Sequence, residues 1–268
     1  MKAILTLLDF SDASTNALSF AAEISKRTDA RLVLINIIQK GDDEDEIKNR
    51  LKSIESDLRK SYDSDLKCES TIAHGNLIPT LKKVIAIQQP DLIVMGTKGA
   101  SGLKRILIGS NTVNVIAKTK VPVLVIPEVA RFEHFLHNGK NRIVFATDLE
   151  EMENDTALHI LKEVALLIRE PRLSVLSVRS KDTSLPNLKR KEREFLISFF
   201  NAEIKSDQAT VFSDSVIGGI NFYLNQKNMD AGLIAMIVTA ARIAISATTT
   251  RISINVKPDF FNFVNIFL

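Results

Sequence analysis

"MGTKGASGLKRILIGSNT", residues Met95 to Thr112, is the most glycine-dense stretch of a 268-residue chain that holds ten glycines in all. Gly96, Gly99, Gly102 and Gly109 fall inside it. It follows the apolar run Leu92 to Met95 and leads into a segment with helical spacing from Ser110. A chain leaving a parallel strand for a helix has free backbone N–H groups, and the helix start adds partial positive charge. Glycines there let the backbone take unusual φ and approach a ligand closely. Phosphate is the anion that suits such a nest. The stretch therefore reads as a phosphate cradle, with Gly99, Gly109 and Ser110 offering N–H groups and Ser110 a hydroxyl. Composition alone leaves a plain glycine-rich turn equally open. The P-loop spacing is missing, and a dinucleotide fingerprint would follow the first strand rather than the fourth.

Working outward, the first half alternates. Ala3 to Leu8, Arg31 to Ile38, Leu66 to Ala73, "PDLIVMG" and "VPVLVIP" are apolar runs of strand length. Ser14–Lys26, Asp45–Ser61, Asn76–Gln88 and Ser110–Lys118 have helical periodicity between them. The acidic run "GDDEDE" suits the positive end of a helix start. This order predicts parallel strands covered by helices on both faces.

After Pro127 the period lapses through "EVARFEHFLHNGKN" and then restarts. "RIVFATDLEE" echoes "AILTLLDFSD", so Asp148 answers Asp9, and "RLSVLSVRS" echoes "RLVLINIIQ". "TALHILKEVALLI" and "DSVIGGINFYLNQKNMDAGLIAMI" have counterparts in the same order, roughly 140 residues back. The chain reads as an internal duplication: a domain at 1–127, a linker at 128–141, and a second domain at 142–268. Each is expected to be a doubly wound α/β unit with a five-stranded, mainly parallel sheet.

Composition agrees. The chain is 45% hydrophobic and 25% charged, a globular balance. Its net charge of +3, without a basic block, argues against nucleic acid as the main partner. One cysteine, Cys68, excludes an intrachain disulfide framework and fits a reducing compartment. Asp9 cuts short the only signal-like run, and no apolar segment is long enough for a bilayer. A soluble, cytoplasmic protein is expected.

Gly96-x-x-Gly99, nine residues, then Gly109-Ser110 resembles the nucleotide-binding signature of the universal stress protein family. The resemblance is complete over 1–127 and weaker over about 142–238, as in a tandem member. It implies the adenine-nucleotide alpha hydrolase-like fold and an ATP-binding (or ADP/AMP-binding) regulator of stress responses, with Mg²⁺ bridging the phosphates. It implies that Asp9 lies against adenine and ribose, that backbone at Ile37 meets the adenine edge, and that Met95 and Gly96 flank the nucleoside. Gly99, Gly109, Ser110, Asn111 and Thr112 would hold phosphates. Thr97 and Lys98 lie inside the loop, and the Lys98 ammonium suits a phosphate. Leu7 stands where the family often has proline.

The second half lacks the cradle: "VTAARIAISATTTRISINV" follows "AGLIAMI". It reads as a domain that binds no nucleotide. Family members dimerise along their last strands, so "VPVLVIP" and roughly "RISINV" are expected to pair within the chain, with a homodimer possible. The alternative is a nucleotide-independent interaction module. No catalytic constellation is visible, so an enzyme reading rests on slow ATP hydrolysis alone.

Other features have plain readings. His134 and His137 are three residues apart, but a metal is less expected there than polar surface. Cys68 reads as a small core residue. "NLKRKERE" reads as a solvated helix face, and "DFFNFVNIFL" as a segment packed on a partner domain. Nothing physical explains the Ala/Ile/Thr bias of 239–250.

Overall fold

The computed structural model describes residues 1–62, 66–97, 105–107, 110–133, 142–150, 155–180, 185–227, 231–236, 253–255 and 262–267. They belong to two compact units: Met1–Lys98 with Gly109–Glu128, and Gly99–Ile108 with Val129–Leu268.

In the first unit the elements are β1 (Ala3–Leu7), α1 (Asp12–Thr28), β2 (Arg31–Ile38), α2 (Glu44–Ser61), β3 (Cys68–His74), α3 (Leu77–Gln88) and β4 (Leu92–Thr97), then α4 (Ser110–Lys118) and β6 (Val123–Pro127). All sheet pairs are parallel, in the order β3-β2-β1-β4-β6. Strands buried on both faces need continuous apolar runs. Accordingly Ile4, Leu5, Leu32 to Ile35, and Leu92 to Val94 are fully buried. α1 starts where Ser11 caps the N–H of Ser14 and ends where Asp29 turns left-handed, at φ 53. Its stripe of Ala17, Phe20, Ala21 and Ile24 is sealed against the sheet.

The second unit repeats the plan with β7 (Arg142–Ala146), α5 (Thr156–Leu166), β8 (Arg172–Arg179), α6 (Asn187–Asn201), β9 (Lys205–Phe212), α7 (Val216–Gln226), β10 (Ala231–Met236) and β12 (Asn262–Phe267). Its parallel order is β12-β10-β7-β8-β9. The repeat extends to backbone detail. Leu8 donates its N–H to the Ile35 carbonyl and Thr147 to that of Leu176. Phe10 and Leu149 then share φ 60.

Two short strands, β5 (Arg105–Leu107) and β11 (Ser253–Asn255), pair antiparallel within the second unit. This corrects one expectation. "RISINV" does not close the second sheet, because its Ser253–Asn255 core pairs with β5, and β12 from the "DFFNFVNIFL" segment lies beside β10 instead. The spacing carries the reason. β7 begins 139 residues after β1 (Arg142 against Ala3), β10 139 after β4 (Ala231 against Leu92), and β12 139 after β6 (Asn262 against Val123). "RISINV" comes too early for that offset.

Among the described residues no helix is long and apolar enough to cross a membrane. His134, His137 and residues 239–250 lie outside the described residues.

Candidate functional site

The strand order of the first unit reverses between β1 and β4, and ligands of open α/β sheets bind outside the carboxyl ends of strands at such a point. A pocket of about 170 Å³ lies there. It is lined by Leu7, Leu8, Asp9, Ser11 and Ser14 from the β1–α1 corner, and by Ile35, Asn36, Ile37 and Gln39 from the end of β2. Leu77 of α3, Met95 and Gly96 of β4, and Asn111 and Thr112 of α4 complete it.

The β1–α1 corner is built by hydrogen bonds to one carboxylate. Asp9 Oδ1 accepts from the Ser11 N–H at 3.0 Å and from the Ser11 hydroxyl at 2.6 Å. Burial alone would raise the Asp9 carboxyl. The Ser11 hydroxyl and N–H, with the Ser14 hydroxyl, outweigh it and hold the group below its ordinary 3.8. Asp9 is thus an anion, with lone pairs left for a donor. The Arg50 guanidinium of α2 lies 4.3 Å from the centre of the Phe10 ring and covers the corner from outside.

The end of β2 is open because β1 stops first. Along β2 the odd residues face β1: Arg31 donates to the Lys2 carbonyl, and Ile35 accepts from Leu8. Ile37 is next in that row. The Leu8 carbonyl that would have taken its N–H accepts instead from Asn36 Nδ2, at 2.7 Å. Ile37 therefore turns a backbone donor and acceptor toward the pocket side.

On the far side, α4 points its start at the pocket. Its first N–H groups have no acceptor within the helix, and no acidic side chain occupies its first turn. Thr112 is buried, its hydroxyl 3.5 Å from the Gly96 carbonyl. Ser110 opens the helix and is exposed but does not line the pocket. Gly96 must be glycine for a steric reason: a Cβ there would overlap the Ala13 carbonyl and sit 2.8 Å from Ser14 N. The Asn16 carboxamide, donating to the Pro127 carbonyl at 2.9 Å, ties α1 to β6 on the same edge.

Of the sequence-derived residues, Asp9, Ile37, Met95, Gly96, Asn111 and Thr112 converge on this one pocket. Lys98, Gly99 and Gly109 lie outside the described residues. Sequence reading missed Asn36, Ser11, Ser14 and Leu77. Asn36 alone carried a signal, as the one polar residue inside "LVLINII".

The universal stress protein family model matches residues 1–127. Residues 1–127 belong to the universal stress protein family. They thereby join a family of stress-response proteins. A universal stress protein of Methanocaldococcus jannaschii is 37% identical over 82 residues, 31% of this chain and 49% of that protein. The chain thus spans about half the length of that relative. A universal stress protein of Bacillus subtilis is 26% identical over 143 residues, 46% of this chain and 97% of its own. Across both units the fold is shared with a solved universal stress protein from Archaeoglobus fulgidus, with a TM-score of 0.67 and 18% identity, covering 99% of this chain and 97% of that one.

The corresponding corner of the second unit carries a charged pair among the described residues. Asp148 Oδ1 accepts from the Glu150 N–H at 3.3 Å, so the turn is kept. Lys189 of α6 donates to the Asp148 carbonyl at 3.1 Å and pairs with the Glu150 carboxylate. A carboxylate stands where the first domain has the Ser11 hydroxyl. Among the described residues no group of three or more His, Cys, Asp or Glu is placed to hold a metal.

Proposed function

We propose that the universal stress protein domain at 1–127 binds an adenine nucleotide, ATP or ADP/AMP, within a stress-related regulatory role, and that residues 142–268 form a second copy that binds none. The observation that carries this is the meeting, in one pocket, of the open Ile37 backbone edge, the Asp9 carboxylate and the start of α4. An adenine edge presents a donor beside an acceptor, which matches a backbone N–H and C=O. A ribose hydroxyl suits Asp9. The pocket is smaller than the roughly 300–1,000 Å³ of pockets that enclose a whole ligand. It seats the nucleoside, and the phosphates run out over Ser110, Asn111 and Thr112; the family resemblance assigns Lys98, Gly99 and Gly109 to the phosphates as well. With Asp9 the one carboxylate among the described residues that line the pocket, Mg²⁺ would be held mainly by the phosphates themselves.

The second reading is a nucleotide-independent interaction module. It is favoured by the Asp148 turn, which repeats the Asp9 geometry beside Lys189 and so needs no ligand to exist. Purified protein, released with acid and run on an ion-exchange column, separates the two. Recovered adenine nucleotide supports the first. An empty profile together with no heat of ATP binding supports the second. In calorimetry, Asp9→Ala weakens ATP binding by about 1–3 kcal/mol through loss of a charged hydrogen bond, and Asp148→Ala leaves it unchanged.

A further inference from the structure

We infer that Asn36 is a specificity-determining residue of this pocket, presenting Oδ1 as a fixed acceptor that selects a ligand base with an exocyclic amino group. The inference rests on the nucleotide reading above and assigns a side chain to the choice of base. Asn36 is 8% exposed and lies on the pocket wall. A carbonyl oxygen only accepts, so the 2.7 Å bond to Leu8 O orients the amide with Nδ2 toward β1. That bond leaves Oδ1 with no partner among the described residues, yet it is not one of the oxygens sealed in the core. The open space it borders is the pocket. Once a ligand fills the pocket and displaces solvent, this acceptor costs free energy unless the ligand brings it a donor. Ligands that bring a donor to this point are favoured, and ligands that bring a second acceptor are repelled.

The neighbouring Ile37 backbone offers both a donor and an acceptor, so it can satisfy either kind of base by a small slide. Asn36 cannot, because turning its amide over would face Oδ1 against the Leu8 carbonyl. The side chain therefore adds a discrimination that the strand edge lacks. Its two roles separate in measurement. Pinning Leu8 shapes the corner and affects all nucleotides alike, whereas reading the base affects only those that differ at the amino position.

The test compares ATP with ITP, whose purines carry an amino group against an oxo group at the same carbon, the adjacent ring nitrogen being an acceptor in ATP and an N–H donor in ITP. Titration calorimetry on the wild-type chain is expected to show ITP bound roughly tenfold or more weaker than ATP. Asn36→Ala is expected to narrow that ratio several-fold, whatever it does to the two affinities together. If Asn36→Ala does not fold, Asn36→Ser, whose hydroxyl stops one bond shorter, is read the same way. Equal wild-type affinities, or a ratio unchanged in the variants, overturns the role of Asn36 while leaving nucleotide binding intact. Binding of neither nucleotide by the wild type overturns the nucleotide reading, and the inference with it.

Discussion

Gly96 owes its identity to α1. Its Cβ position is taken by the Ala13 carbonyl and the Ser14 nitrogen, which are backbone and cannot swing aside. Gly96→Ala is expected to cost about 1–3 kcal/mol by overpacking, seen as a lowered urea midpoint with an unchanged slope. A variant as stable as wild type would mean that α1 rides freely on the sheet. Cys68 behaves oppositely, as a residue that fits. It is 3% exposed, and burial first, then the Glu55 charge, pushes its thiol up to about 12 from 9.0. The folded chain therefore holds a proton that the unfolded chain gives up. The contribution is complete below pH 9.0 and is lost as pH climbs toward 12. In native protein at pH 8, Cys68 is expected to react with a thiol reagent only at the rate of unfolding. Fast labelling without unfolding would contradict this.

At the scale of the element, the corner between β1 and α1 combines folding and ligand duties in three residues. Ser11 caps α1 through its side chain and also donates that hydroxyl to Asp9. Ser11→Ala is expected to lower stability by about 1 kcal/mol, the usual worth of a cap. It should also raise the Asp9 carboxyl toward 3.8, since one of the bonds that lowers it is gone. Asp9 contributes stability above the ordinary carboxylate range and loses it as pH falls through its lowered value. Asp9's share of the acid-induced loss of stability should therefore shrink, so the variant loses less stability than wild type as pH falls through the carboxylate range. Carboxylate titration by NMR alongside acid unfolding checks both. Near pH 7 the Ser11 N–H bond survives and nucleotide affinity should change little. A large loss of affinity at unchanged stability would show that the Ser11 hydroxyl meets the ligand itself.

For the whole molecule the prediction is asymmetry. Two units share a strand order and a corner, yet the cradle sequence stands in the first alone, and among the described residues of the second Lys189 bonds the Asp148 carbonyl and pairs with Glu150. Calorimetry on the full chain should return one nucleotide per chain. Gly109→Val, placing a branched side chain where backbone must approach phosphate, should remove most ATP binding and leave the melting temperature of the free chain nearly unchanged. Two nucleotides per chain, or a Gly109→Val chain that binds normally, would reverse the assignment of roles to the two units.

The first unit was nearly complete in its amino-acid order. Apolar runs of strand length alternating with amphipathic segments permit little besides a covered parallel sheet, because strands buried on both faces cannot alternate polar with apolar. Asp9, Ile37, Met95 and Gly96, named through the family resemblance, lie together along one pocket. The strand beside β10 was not read, because "NFVNIF" looks like an aromatic tail until its 139-residue offset from β6 is noticed. Three things needed the folded chain. Ile37 is open only because β1 ends before β2 does, a matter of register. Gly96 is obligatory only because α1 crosses it, a matter of packing between segments far apart in the chain. Asn36 looks like a flaw in an apolar strand until Leu8 is beside it. Local pattern sets which segments become strands and helices, since each segment's periodicity is its own property. Which backbone group is left without a partner depends on where neighbouring strands stop, and no single segment contains that information.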